Sequence, residues 1–247
     1  MRSHLSMRSG NPALNSNTFI SAAQDGSGTM TIGGTVNKTA MSLLLLMASA
    51  SYTWANPSTG LMFLGIIGGL IMAIITIIKK TWAPYTVSGY ALFEGLALGG
   101  ISVFFEKQYP GIVSQAVFLT FGILAALLLA YKSGLIKPTE NFKLGVCAAT
   151  GGIAIMYIIS FFMSMFGSGM SILSPNNSSM LSIGISLFIV VIASLNLVLD
   201  FDFIEEGAEK GAPKYMEWYG AFGLLVTLIW LYLEILRLLA KLQSRRS

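Results

Sequence analysis

Apolar residues run along this chain in long blocks rather than in alternation, with short polar breaks between them. Seven blocks at 39–55, 60–78, 84–104, 113–131, 143–166, 180–204 and 215–240 each approach the length of a membrane-crossing helix, which needs about 20 mostly apolar residues. Between the first two lies a tight Asn56-Pro57-Ser58 turn. No segment of about ten residues alternates apolar with polar as a β-barrel strand would, and unpaired backbone groups are too costly in hydrocarbon for any open structure. The pattern therefore predicts an all-α, polytopic membrane helix bundle of about seven transmembrane helices. Residues 1–38 read as a polar tail and 39–242 as the transmembrane domain. The longest loops expected are Gly167–Ser179 and Ile204–Lys214, and neither holds a soluble domain. No internal repeat is strong enough to predict an inverted-repeat transporter.

Composition agrees with that pattern. Hydrophobic residues make up 54% and charged residues 11% of the chain, and the mean hydropathy is +0.72, whereas a soluble domain carries about 25% charged residues. The lipid bilayer is thus the first partner implied. A net charge of +4 does not point to nucleic acid, because the basic residues are scattered between apolar blocks instead of forming a patch. They mark topology. Arg2, Arg8 and Lys38 precede the first block, Lys79 and Lys80 follow the second, Lys132, Lys137 and Lys143 lie between the fourth and fifth, and Lys210 and Lys214 precede the last. Lys107 is the one lysine in the loops of the other side, so the N-terminus is expected in the cytoplasm. A full seventh crossing would carry Arg237, Lys241, Arg245 and Arg246 to the far side against that rule. Either the last segment is re-entrant or tilted, or the tail is a tolerated exception. The polar opening has no signal-peptide pattern, so the first span is expected to target the protein.

Paired small residues mark close helix approaches. Gly65 with Gly69 and Gly95 with Gly99 are G-x-x-x-G pairs, which serve internal packing or a dimer face; internal packing is the plainer reading. Tyr52, Trp54, Trp82, Tyr85, Trp218 and Tyr219, near block ends, read as interfacial anchors.

Ionisable groups inside hydrocarbon are costly and by default mark function. They are Glu94, Asp200, Asp202 and Glu234, with Glu217 near an interface. Glu94, in the middle of the third block, must face the bundle, be neutral or meet water. Asp200 and Asp202 are two residues apart, about 200° around a helix, so they point to different sides. Asp202, with Glu205, Glu206 and Glu209 beyond it, reads as a solvated acidic rim, and Asp200 as the deeper group. Glu234 and Arg237 share a helix face and can pair. Acid at a pore mouth attracts cations. Cys147 and His4 are the chain's single cysteine and histidine. They offer no metal-ligand set, and no catalytic motif is present. Cofactors, metal sites and enzymatic activity are not expected.

Four stretches together resemble one family. Arg8-Ser9-Gly10-Asn11-Pro12-Ala13-Leu14, the run Glu94-Gly95-Leu96-Ala97-Leu98-Gly99, the Asp-bearing end of the sixth block and Leu231-Tyr232-Leu233-Glu234-Ile235-Leu236-Arg237 resemble the Bax inhibitor (TMBIM, YccA-like) proteins of bacterial inner (plasma) membranes. The resemblance covers the chain after Met7, leaving Met1–Ser6 as a leader outside it. It implies seven helices with the last one central, and a pH-sensitive calcium leak gated by two aspartates on the last two helices. For some members it also implies modulation of the membrane protease FtsH. Asp200 matches the first aspartate, while aligning on Arg237 places Thr227 at the second. Glu217, Glu234 or Glu94 are the substitutes available, with Lys79 or Lys80 as a basic partner. The sequence thus supports two functions, a cation leak gated at Asp200 and a non-conducting regulator that binds a membrane protease through its tail. An intramembrane enzyme is a third, weaker reading.

Overall fold

The computed structural model describes residues 28–167 and 169–245. The opening tail, with Arg2, His4, Arg8 and the Arg8–Leu14 stretch, lies outside the described residues, as does Arg246. The described residues form seven α-helices: α1 Ile32–Ala55, α2 Thr59–Ile78, α3 Ala83–Gln108, α4 Ile112–Lys132, α5 Glu140–Met165, α6 Met180–Glu209 and α7 Met216–Ser244. Two short 3-10 turns, Lys80–Trp82 and Ser171–Leu173, sit in the connections. The all-α bundle read from the apolar blocks is the fold observed.

Six of these helices, α2 to α7, are long and apolar enough to cross a membrane. The first is more polar, and it starts at Ile32 rather than at 39. Its polarity is turned inward. Thr35, Thr39, Ser42, Ser49 and Thr53 are buried, while Val36, Met41, Leu44, Met47 and Tyr52 are exposed. Hydroxyls inside and aliphatic groups outside is the reverse of a water-soluble helix and suits lipid on the outer face. Residues 32–38, read as tail, are its first turns, capped by Thr31, whose side chain accepts from the Gly34 amide.

α6 also runs further than expected, to Glu209. The residues Ile204–Glu209 assigned to a loop are helical, which puts Asp200 well inside the helix. Glu206 and Lys210 form an ion pair near its end.

The chain divides into two compact units. The first comprises residues 28–108 and 200–226 of the described chain. Within it α3 packs against both α1 and α2. A Cβ at Gly65 would fall 2.5 Å from the Phe93 carbonyl oxygen and the Ala97 nitrogen of α3, and Cβ atoms at Gly95 and Gly99 would run into the α1 carbonyls of Leu46 and Ala50. Both glycine pairs thus serve internal packing. Ser49 of α1 donates to the Leu92 carbonyl across the same contact, at 2.6 Å, and Thr76 of α2 to the Thr86 hydroxyl at 2.7 Å.

The second unit comprises residues 109–199 and 227–245 of the described chain. Ile153, Ile189 and Ile192 form its buried centre, with Ala149, Met156, Tyr157, Ile185 and Trp230 around them. Asn196 of α6 donates to Thr150 of α5 at 2.8 Å. Cys147 is half-buried in α5, as befits a small packing residue.

α7 is unbroken for 29 residues, about 43 Å at about 1.5 Å per residue, and its end returns to the start of α6. Lys241 donates to the carbonyls of Ile172, in the α5–α6 connection, and Ser182, in the first turn of α6. Three of the four cations of the last segment are engaged: Arg237 pairs with Glu234, Lys241 is buried on carbonyls, and Arg245 contacts the Met180 sulfur.

Candidate functional site

The acids singled out from the sequence fall at four places. Asp200 is wholly buried at 0% exposure, among buried Leu197, Val198, Leu199, Phe201, Phe203 and Ile204. Asp202 is half-exposed. The opposite settings follow from their 200° separation around the helix, as the spacing anticipated.

Glu94 is half-buried on α3, with its carboxylate against α2: a Cβ at Gly69 would lie 2.7 Å from Oε1. The glycine makes room for the acid. Glu94 therefore faces a neighbouring helix, as the cost of a lipid-facing carboxylate requires. One turn before it, Tyr90 is buried edge-on against Phe222 of α7, with ring centroids 5.0 Å apart.

Glu217 lies in the first turn of α7 and is only 1% exposed. Its Oε1 accepts from the Thr31 amide at 3.0 Å, the Thr31 hydroxyl at 2.8 Å and the Lys214 ammonium at 2.7 Å. Thr31 caps α1, so the carboxylate is set at the positive end of that helix, where negative charge is favoured. Gly34, in the same first turn, has its α-carbon over the carboxylate; a Cβ there would overlap Oε1. Three basic residues surround this end of α7. Lys38 lies over the Trp218 ring at 5.3 Å, Lys80 over Tyr219 at 5.6 Å, and Lys214 on Glu217. Lys79 lies over Trp82 at 4.2 Å. Lys38, Lys80 and Lys214, three of the basic residues that the charge rule assigned to one face, gather there, the first two held against aromatic rings.

Glu234, 2% exposed, holds the other end of α7. The Tyr157 hydroxyl of α5 donates to Oε1 at 2.6 Å, and Arg237 Nη1 donates to both oxygens at 2.9 Å. Arg237 also donates to the Tyr157 oxygen at 2.5 Å. The pair expected from the i, i+3 spacing is present, extended by a tyrosine. Two turns, or seven residues, further on, Lys241 is 0% exposed and bonded to two carbonyls, at 2.8 and 3.3 Å.

Gly220, Thr227, Glu234 and Lys241 stand seven residues apart along α7, close to two full turns each. Thr227, Glu234 and Lys241 are all buried. They make one inward polar stripe along the helix. Thr227, which the resemblance placed at the second aspartate position, belongs to that stripe as a hydroxyl. Sequence reasoning missed Thr31, Gly34, Tyr157 and Lys241. For Lys241 the seven-residue step from Glu234 was the available signal; for Gly34 it was a glycine inside a first turn, where it weakens a helix unless something must come close.

No curated protein and no solved structure matches this chain. The family model described as Bax inhibitor 1 like matches residues 11–244, a span that includes the buried acids of α3, α6 and α7, and the chain is a member of the Bax inhibitor 1 like family of membrane proteins.

Proposed function

We propose that this protein is a pH-sensitive cation leak of a bacterial inner membrane, with calcium as the cation, a cytoplasmic N-terminus, and Asp200 as the proton-sensing group of its gate. The observation that carries the reading is the inward placement of Asp200, Glu217, Glu234 and Lys241, none more than 2% exposed, on helices whose lipid-side residues such as Leu187, Phe188 and Val191 are exposed. Helices that served only as anchors would have no use for ionisable groups in their interior. A buried carboxylate changes charge with pH, and the change biases two packings of the last two helices. Asp202 and the glutamates beyond it supply negative potential at the mouth.

A non-conducting regulator of a membrane protease such as FtsH is the second reading. It is favoured by the hydrogen bonds that join the segment ahead of α1 to the α6–α7 connection, which give a tail-bound partner a physical route into the bundle. Calcium flux into liposomes holding the purified protein separates the two. We expect flux above empty liposomes that varies with pH, and loss of that variation in Asp200→Asn. Flux no greater than in empty liposomes removes the leak and leaves the regulator.

A further inference from the structure

Four residues ahead of α1 and its first turn make a contact that the leak reading does not use and that the regulator reading invokes only as a route for a partner. The Met30 amide donates to the Ala212 carbonyl at 2.6 Å, and the Lys214 amide to the Gly28 carbonyl at 3.0 Å. Between them Thr29 and Pro213 face each other as an antiparallel bridge. Proline fits there because the facing pair of such a bridge needs neither of its own amides. Gly211 turns the connection with a φ of +64°, which a side chain would resist.

Side chains fasten the same segment. Met30 is 2% exposed, and its methyl reaches Gly220 of α7: a Cβ there would lie 3.5 Å from it. Thr31 gives both its amide and its hydroxyl to Glu217. Gly34 has no side chain to keep the carboxylate away. Four hydrogen bonds thus join residues 28–31 to the 212–217 stretch; the Lys214 ammonium closes the network on Glu217, and the buried Met30 side chain reaches Gly220 just beyond it.

We propose that residues 28–31 are an intramolecular strap: they occupy, as an added strand, the one edge that the α6–α7 connection offers, and through Glu217 they clamp the first turn of the last helix. Strap and helix entry open and close together. Force or binding applied to the chain ahead of Gly28 reaches α7 through this contact before it reaches α1. The edge could instead be filled by the same segment of a second copy, by exchange; the short path from Thr31 straight into α1 favours the segment of the same chain.

Amide hydrogen exchange on the full chain in lipid nanodiscs tests this. Local opening sets exchange rates, so Thr31→Val, which deletes the hydroxyl, and Met30→Asp, which buries an unpaired charge, should each speed exchange at the Met30 and Lys214 amides by about tenfold or more. The first turn of α7, Met216–Tyr219, should speed up with them, while α2 stays at parent rates. In a Cys147→Ser background, Thr29→Cys with Pro213→Cys should form a crosslink within one chain, since facing residues of this bridge type come within about 4.5 Å between α-carbons. That crosslink should return exchange at Met216–Tyr219 to the parent rate in the presence of Thr31→Val. Unchanged exchange at Met30 and Lys214 in both single variants overturns the strap. Faster exchange there with an unaffected α7 turn overturns the clamp, and a crosslink found only between two chains overturns the intramolecular assignment. None of these readouts depends on ion flux.

Discussion

Tyr157→Phe removes one oxygen from the Tyr157–Glu234–Arg237 contact of the second unit, and its cost can be worked from the geometry. The phenol donates to Glu234 at 2.6 Å and accepts from Arg237 at 2.5 Å, so two charge-assisted bonds go at once. In a soluble protein a hydrogen bond to a charged group contributes about 1.5 to 3 kcal/mol. Inside a bilayer the unfolded helices also find partners, and measured values average about 0.6 kcal/mol with a maximum near 1.7. Glu234 keeps Arg237 on both oxygens at 2.9 Å, and the guanidinium keeps a ring to lie over. We expect a loss of about 1 to 2 kcal/mol. Glu234→Gln leaves Arg237 without its counter-charge, and because that side chain is 25% exposed the cost falls below the roughly 3 to 5 kcal/mol of a fully buried broken pair. Because both substitutions strike one network, they should not add. Equilibrium unfolding in mixed micelles of the parent, both single variants and the double variant measures the coupling, expected at about 0.5 to 1 kcal/mol. Single effects that sum to the double effect within about 0.3 kcal/mol would refute the network and leave three neighbours that merely touch.

Other consequences can be checked as directly. Gly65→Ala places a methyl about 0.9 Å inside ordinary contact with α3 backbone that cannot turn aside, so it should cost about 1 to 3 kcal/mol in the same unfolding assay, whereas Gly122→Ala, with open space around it, should cost nothing measurable. Lys241→Met strips the Ile172 and Ser182 carbonyls of their donor; proteolysis in the α5–α6 connection should then be faster than in the parent, with cleavage elsewhere unchanged. Asp202→Asn, half-exposed on the other side of α6, should leave most of the pH dependence of calcium flux that Asp200→Asn removes. Single cysteines placed at Asn56 and Asn176 in a Cys147→Ser background should be labelled by an impermeant maleimide from outside the cell, and one at Lys137 only after lysis; the reverse pattern would invert the proposed topology.

Much of the fold could be read from the chain because the bilayer imposes one rule on every span. Blocks of apolar residues became helices almost where they ended, and the 200° between Asp200 and Asp202 already separated a buried acid from a rim acid. What could not be read depended on partners far apart in sequence. α1 looked too short because Thr35 and the residues before Thr39 are polar, and their burial depends on neighbours that hydropathy does not see. The end of α6 looked like a loop because Glu205, Glu206 and Glu209 end the apolar run without ending the helix. Tyr157 lies 77 residues from Glu234 and Thr31 lies 186 from Glu217, distances over which one sequence holds no pairing signal. The glycines facing Glu217 and Glu94 were visible as residues, but not as the gaps that admit those carboxylates.

The hydroxyls along α1 bear on how the chain enters its membrane. A segment carrying Thr35, Asn37, Lys38, Thr39, Ser42, Ser49 and Thr53 gains little from leaving water alone, since it is less apolar than the other spans and Ser49 finds its partner only once α3 is present. α2, by contrast, has 20 residues with hardly a polar group, and only Asn56-Pro57-Ser58 separates the two. The insertion machinery therefore meets a weak span followed within three residues by a strong one. The two should partition as a single hairpin, with α2 drawing α1 across. A chain truncated at Asn56 should remain extractable from membranes by alkaline carbonate, and one extended through Ile78 should not. The order of synthesis thus becomes part of the fold: the inward polarity of α1 is tolerable only because its apolar neighbour leaves the ribosome immediately after it.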